Sequence, residues 1–67
     1  MSVARVTEII SASPTSFEHA VQSGIERAAK TIHGIQGAWV KEQKVIVHNG
    51  KITEYRVDLM VTFILDE

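Results

Sequence analysis

Asn49-Gly50, set between two long runs rich in Val, Ile, Tyr, Trp and Thr, constrains this chain more than any other feature. Asn-Gly is the strongest short hairpin signal, because a type I′ turn needs positive φ at both central residues. It predicts strands over residues 36–48 and 51–65, with His48 facing Lys51, Val40 facing Leu59 and Trp39 facing Met60. The second strand alternates cleanly. Tyr55, Val57, Leu59, Val61, Phe63 and Leu65 share one face, extended across the hairpin by Ala38 and Val40. The other face sets Trp39, Lys41, Gln43, Val45 and Val47 against Met60, Asp58, Arg56, Glu54 and Ile52. That register pairs Lys41 with Asp58 and Gln43 with Arg56.

Upstream, residues 3–10 are dense in β-branched side chains (Val3, Val6, Thr7, Ile9, Ile10) and read as another strand. Apolar residues fall on both of its faces, as in a central strand covered on both sides. Ser13-Pro14-Thr15-Ser16 opens a helix, with Ser13 or Ser16 as N-cap. Phe17, Ala20, Val21, Gly24, Ile25, Ala28 and Ile32 recur at spacings of three and four and make one apolar stripe. Glu18, Gln22, Glu26 and Lys30 lie opposite. Gly24 inside the stripe costs about 0.8–1 kcal/mol against Ala, which close approach of helix to sheet would justify. Gly34 is expected as the left-handed C-cap. The order is strand, helix, strand, strand: an α+β fold in which a three-stranded antiparallel sheet wraps on one helix, as a single domain over residues 1–67.

One helix cannot cover both faces of such a sheet. The chain has only 67 residues, and its own core would supply no more than about 3–5 kcal/mol. It has no Cys, so disulfides and thiolate metal sites are excluded, and subunit contacts are the stabiliser left. The second sheet face, with its Trp, Met and aliphatics, is then either solvated with an unusual apolar content or, as the size of the chain favours, met by another subunit or a ligand. Lys and Arg total 7 against 8 Asp and Glu, too balanced for a nucleic-acid footprint. No apolar run approaches a membrane span, the N-terminus lacks a signal-peptide layout, and a soluble cytoplasmic protein is expected.

Taken together, these residues resemble the dodecins, very small bacterial and archaeal proteins of β-α-β-β order. The resemblance runs along the whole chain. It is carried by Val6 and Glu8, by Ser13-Pro14-Thr15-Ser16-Phe17-Glu18, by Ala20-Val21-Gln22, and by Ile25-Glu26-Arg27-Ala28 with Lys30-Thr31. It continues in Val40, Glu42-Gln43, Gly50-Lys51-Ile52, and Tyr55-Arg56-Val57 through Val61-Thr62-Phe63. It implies a hollow homododecamer with helices outside and sheets lining the interior. It also implies storage of flavins (riboflavin, FMN) as stacked pairs, with no catalysis. In the family a Trp at the start of the second strand stacks on the flavin, and a Gln on the third strand bonds its polar edge. Here those positions are Gly37 and Arg56. Trp39 lies two residues along on the same face, roughly 6.6 Å away. Members lacking the Trp are described as flavin-free with bound calcium, and the run from Gly37 to Gln43 looks closer to that branch.

The candidate ligand-binding residues are thus Gly37, Trp39, Gln43 and Arg56. Trp39 offers either a stacking platform for a planar ligand or a subunit anchor. Arg56 suits a phosphate or carboxylate ligand, or an ion pair between subunits with a carboxylate such as Glu54 or Asp58. Glu8, Glu42, Glu54, Asp58, Asp66 and Glu67 are scattered oxygen ligands without an EF-hand loop, so a calcium site would need strand carboxylates or several subunits. His19, His33 and His48 lack metal-ligand spacing and read as surface residues. No Ser is spaced with a His/Asp pair and no glycine-rich phosphate loop occurs, so an enzyme is not expected.

Overall fold

The computed structural model describes residues 2–65. Asp66 and Glu67, two of the candidate oxygen ligands, lie outside them. The elements run β1 (Ala4–Ser13), α1 (Phe17–Ala29), β2 (Ile35–His48) and β3 (Lys51–Ile64). All pairings are antiparallel and the sheet order is β1-β3-β2. Asn49 and Gly50 carry φ of 52° and 74°, the left-handed geometry that a type I′ turn demands.

β3, not β1, is the central strand. The hairpin places β2 on one side of β3 and leaves the other side to β1, which therefore forms an edge. The apolar residues on both faces of β1 have a different cause. Ile9 packs toward the helix, while Ile10 points away from it and is 69% exposed.

Val57, Leu59 and Val61 of β3 meet Ala20 of α1 to make the core, ringed by Ile9, Phe17, Val21, Ile25 and Ile35. Phe17 and Tyr55 close one end edge-to-face, ring centroids 5.2 Å apart. Gly24 permits the close approach its sequence position called for. A Cβ there would lie 2.9 Å from Ser11 Cβ and 3.2 Å from Leu59 Cδ1. The helix packs on β1 and β3, so Val40, on the helix side of β2, remains 43% exposed instead of seating the stripe.

Both serines before the helix are used. Ser16 is the N-cap, its Oγ accepting from the His19 N–H at 3.0 Å. Ser13 ends β1, its buried Oγ accepting from the Thr15 N–H at 2.9 Å and lying 2.7 Å from His19 Nδ1. The helix stops at Ala29 with Lys30 as C-cap in an ordinary right-handed conformation. Gly34 has the positive φ expected of it, 75°, but lies beyond the helix. It turns the chain into β2, and its carbonyl accepts from the Ile64 N–H at 3.0 Å.

Helix and strands are mismatched in length. A 13-residue helix is about 20 Å long, whereas a 14-residue strand runs about 46 Å. The molecule measures 51 × 19 × 14 Å, and the hairpin projects past the helix.

Candidate functional site

Three irregularities in the β2–β3 ladder decide what lies on the sheet face away from α1. Near the turn His48 pairs with Lys51 and Val47 with Ile52. Thr53 is then an extra residue on β3, its hydroxyl donating to the Ile46 carbonyl at 3.2 Å. The register moves by one until Lys41, an extra residue on β2, restores it. Val40 again pairs with Leu59 and Trp39 with Met60. A third shift between Ile35 and Gly37 leaves Gln36 unpaired. Bulges of this kind re-aim side chains and sharpen strand twist.

The pairings expected far from the bulges hold, and those between them do not. Gln43 pairs with Val57 and Arg56 with Lys44, so Gln43 and Arg56 sit on opposite faces. Asp58 pairs with Glu42, not Lys41. The bulge frees the Lys41 side chain to reach across β3, and its Nζ lies 3.4 Å from Glu8 Oε2 on β1.

The far face therefore has three zones. At one end Gly37 pairs with Thr62 and Trp39 with Met60, and an added Cβ at Gly37 would meet nothing within 4 Å. Trp39 is 53% exposed and shares the face of Gly37, as the strand spacing predicts. Val6 and Ile10 on β1 extend this apolar area. At the other end Arg56 donates to Glu54 Oε1 from Nε at 3.0 Å and from a terminal nitrogen at 2.5 Å. This pair lies within one strand of one chain, whereas the sequence reading looks for a pair between subunits. Arg56 and Trp39 stand four strand rises apart, about 13 Å, so the ladder does not bring them together.

Between these zones lies a carboxyl pair that sequence reasoning missed. Ile10 pairs with Asp58 and Glu8 with Met60, which makes Glu8 and Asp58 diagonal neighbours across β1 and β3. The two carboxyls are close enough to shift each other's ionisation in opposite directions. Side-chain interaction with Glu8 raises the Asp58 pKa, burial and the Glu8 charge adding to the effect. The same interaction, with the Lys41 charge, lowers that of Glu8. Asp58 Oδ1 is shut off from water and has no partner. A cleft of about 100 Å³ opens beside it, lined by Ile10, Glu42, Lys44, Arg56 and Asp58 among others. The diagonal pairing of Glu8 with Asp58 was available once β1 was set beside β3. The sequence carried no signal for the placement of Lys41.

Among the described residues, no three His, Asp or Glu side chains lie close enough to hold a metal together. His19, His33 and His48 are exposed. No helix of the described residues is long and apolar enough to cross a membrane.

Comparison with known proteins gives a consistent result. The family model described as Dodecin matches residues 3–66. Calcium dodecin of Mycobacterium tuberculosis is 45% identical over 64 residues, covering 94% of this chain and 89% of that protein. Dodecin from Streptomyces davaonensis superposes with a TM-score of 0.94 at 35% identity, covering 98% of this chain and 97% of that one. A crystal structure of the M. tuberculosis calcium dodecin, described as a calcium-chelating antigen with a novel calcium-binding site, gives a TM-score of 0.83 at 41% identity, over 97% and 93% of the two chains.

Proposed function

Because this chain belongs to the dodecin family, we propose that it is the subunit of a hollow homododecameric shell that binds and stores a small ligand and catalyses nothing. The far sheet face carries this reading: it presents Trp39, Val6 and Ile10 to solvent, with no helix to shield them. The surface area agrees. The chain exposes 4997 Å², whereas a compact 7.4 kDa protein exposes about 4,200 Å². The excess of roughly 800 Å² is one partner's share of a standard interface.

For the ligand, we favour a cation over flavin. Gly37 leaves open space where the family's stacking Trp would stand, and Arg56 is engaged by Glu54. The M. tuberculosis relative is called a calcium dodecin. One chain alone does not fit calcium, which takes six to eight oxygens. Glu8 and Asp58 supply a carboxyl pair with an ammonium beside it. A calcium ion would need oxygens from neighbouring copies at a subunit contact. Flavin remains the second reading because Trp39 offers an exposed ring on the right face.

Native mass spectrometry with calcium, with chelator and with riboflavin separates these readings. We expect a twelve-subunit mass that gains calcium and leaves riboflavin fluorescence unquenched. Quenching at micromolar riboflavin would favour flavin. A twelve-subunit mass without calcium uptake removes the cation. A persistent monomer removes the shell.

A further inference from the structure

The tip of the β2–β3 hairpin is held differently from the rest of the sheet. β1 ends its pairing where Ser13 meets Tyr55, so residues 51–54 of β3 have only β2 beside them. The extra residue Thr53 interrupts even that ladder. Beyond it two rungs remain, Val47 with Ile52 and His48 with Lys51. α1 begins at Phe17, against Tyr55, and residues 47–53 are all exposed. A two-stranded ribbon without a third strand or a helix is marginal in water, and such an end opens before the core does.

Asn49-Gly50 closes this ribbon, and Asn49 is the only asparagine in the chain. Among the described residues, neither the side-chain hydrogen bonds nor those of the turns use the Asn49 amide or the Gly50 N–H. Gly50 has no side chain to obstruct its own nitrogen, and the space where a Cβ would stand is open to 4 Å.

We propose that Asn49 is a site of spontaneous covalent modification, reacting with the Gly50 nitrogen when the tip opens, and that the isoaspartyl product alone unlocks the hairpin end. The Gly50 amide gives up its proton and its nitrogen attacks Asn49 Cγ. A nitrogen–Cγ bond forms, the Cγ–Nδ2 bond breaks, and ammonia leaves with the proton. Water then opens the five-membered succinimide. Attack at Cγ gives aspartate. Attack at the main-chain carbonyl gives isoaspartate, whose backbone runs through Cβ and Cγ. The net change is one water consumed and one ammonia released, with no oxidant, metal or enzyme. This chemistry needs neither the shell nor a bound ligand.

The closed turn is the gate. In the left-handed conformation of Asn49 the Gly50 nitrogen stands on the far side of the Cα–C bond from Cβ, away from Cγ. Ring closure therefore waits for the two end rungs to part. The products differ in what they do to the turn. Asp-Gly suits a type I′ turn as Asn-Gly does, so aspartate leaves the hairpin closed. Isoaspartate lengthens the turn by one methylene, which a two-residue connection cannot absorb without parting Val47 from Ile52.

The native protein incubated at mildly alkaline pH tests the site, with the same chain unfolded in urea setting the ungated rate. Mass spectrometry of the tryptic peptide 45–51, with chromatographic separation of the aspartyl and isoaspartyl forms, reads the conversion. Both products should form in the native protein, several-fold more slowly than in urea, and faster as hydroxide concentration rises. No conversion in the native protein over the time in which the unfolded chain converts completely overturns the site. A native rate equal to the unfolded rate overturns the closed turn as its gate. Nuclear magnetic resonance contacts between the Val47 and Ile52 methyls then separate the products. They should persist in Asn49→Asp and vanish in the isoaspartyl fraction, while those among Val57, Leu59 and Val61 stay unchanged in both. Contacts that persist in the isoaspartyl fraction, or vanish in Asn49→Asp as well, overturn the selective unlocking. If Asn49→Asp fails to fold, the aspartyl fraction of the incubated wild type takes its place.

Discussion

Trp39→Ala is the sharpest perturbation of the proposed assembly surface. Trp39 is 53% exposed in the single chain, opposite Met60 and outside the Ala20–Leu59 core. Its removal should therefore leave the subunit fold nearly intact. A fully buried Trp contributes up to roughly 250 Å². About half of that, some 130 Å², is still open to solvent in one chain. At about 25 cal/mol per Å², covering it stabilises a contact by about 3 kcal/mol, and the methyl left by Ala retains a fraction. The expected loss is about 2–3 kcal/mol per contact, roughly a 30- to 150-fold weaker association. The assay is sedimentation velocity on serial dilution, with far-ultraviolet circular dichroism to verify the fold. Trp39→Phe should recover most of the loss, since a ring still fills the space. If Trp39→Ala assembles at the same dilution as wild type, Trp39 is not a subunit anchor and the surface argument fails. Retained assembly with lost ligand quenching would instead assign the ring to a planar ligand.

Other substitutions test the fold beneath that surface. Gly24→Ala gains about 0.8–1 kcal/mol in helix propensity but drives a methyl to 2.9 Å from Ser11 Cβ. Overpacking of this kind costs about 1–3 kcal/mol, so urea denaturation should show no gain or a net loss. A gain of the full propensity value would mean that helix and β1 are not in close contact. Ser16→Ala removes the acceptor for the His19 N–H and should lower stability by about 1 kcal/mol, while Ser16→Asp should restore it.

How much of this could be read beforehand depended on whether the cause was local. The Asn49-Gly50 turn, the helix stripe and the alternation of β3 are local, and they led to the element order and to the buried face of Val57, Leu59 and Val61. Strand order was harder, because the apolar content of both faces of β1 fits a central strand as well as an edge whose outer face awaits another copy. The helix end was misjudged for a related reason. A left-handed Gly serves a strand entry as well as it serves a C-cap, and Gly34 does the former. At the candidate site, Gly37 and Trp39 fell where spacing put them. Gln43 and Arg56 did not, because the extra residues Thr53 and Lys41 shift the ladder between them. Neither residue announces a bulge by its chemistry. The Glu8–Asp58 pair depends on a contact between distant segments, and no pattern along either strand encodes it.

The surplus residue in β2 has a consequence for how such a chain can diverge. In a regular strand each side chain is bound to a rung, so a change of charge is also a change in the ladder. Lys41 sits outside the rungs, which close from Val40 to Glu42 without it. Its side chain nevertheless reaches two strands away. Position 41 is thus a tuning peg, where drift can reset the charge beside a carboxyl pair while the scaffold stays in place.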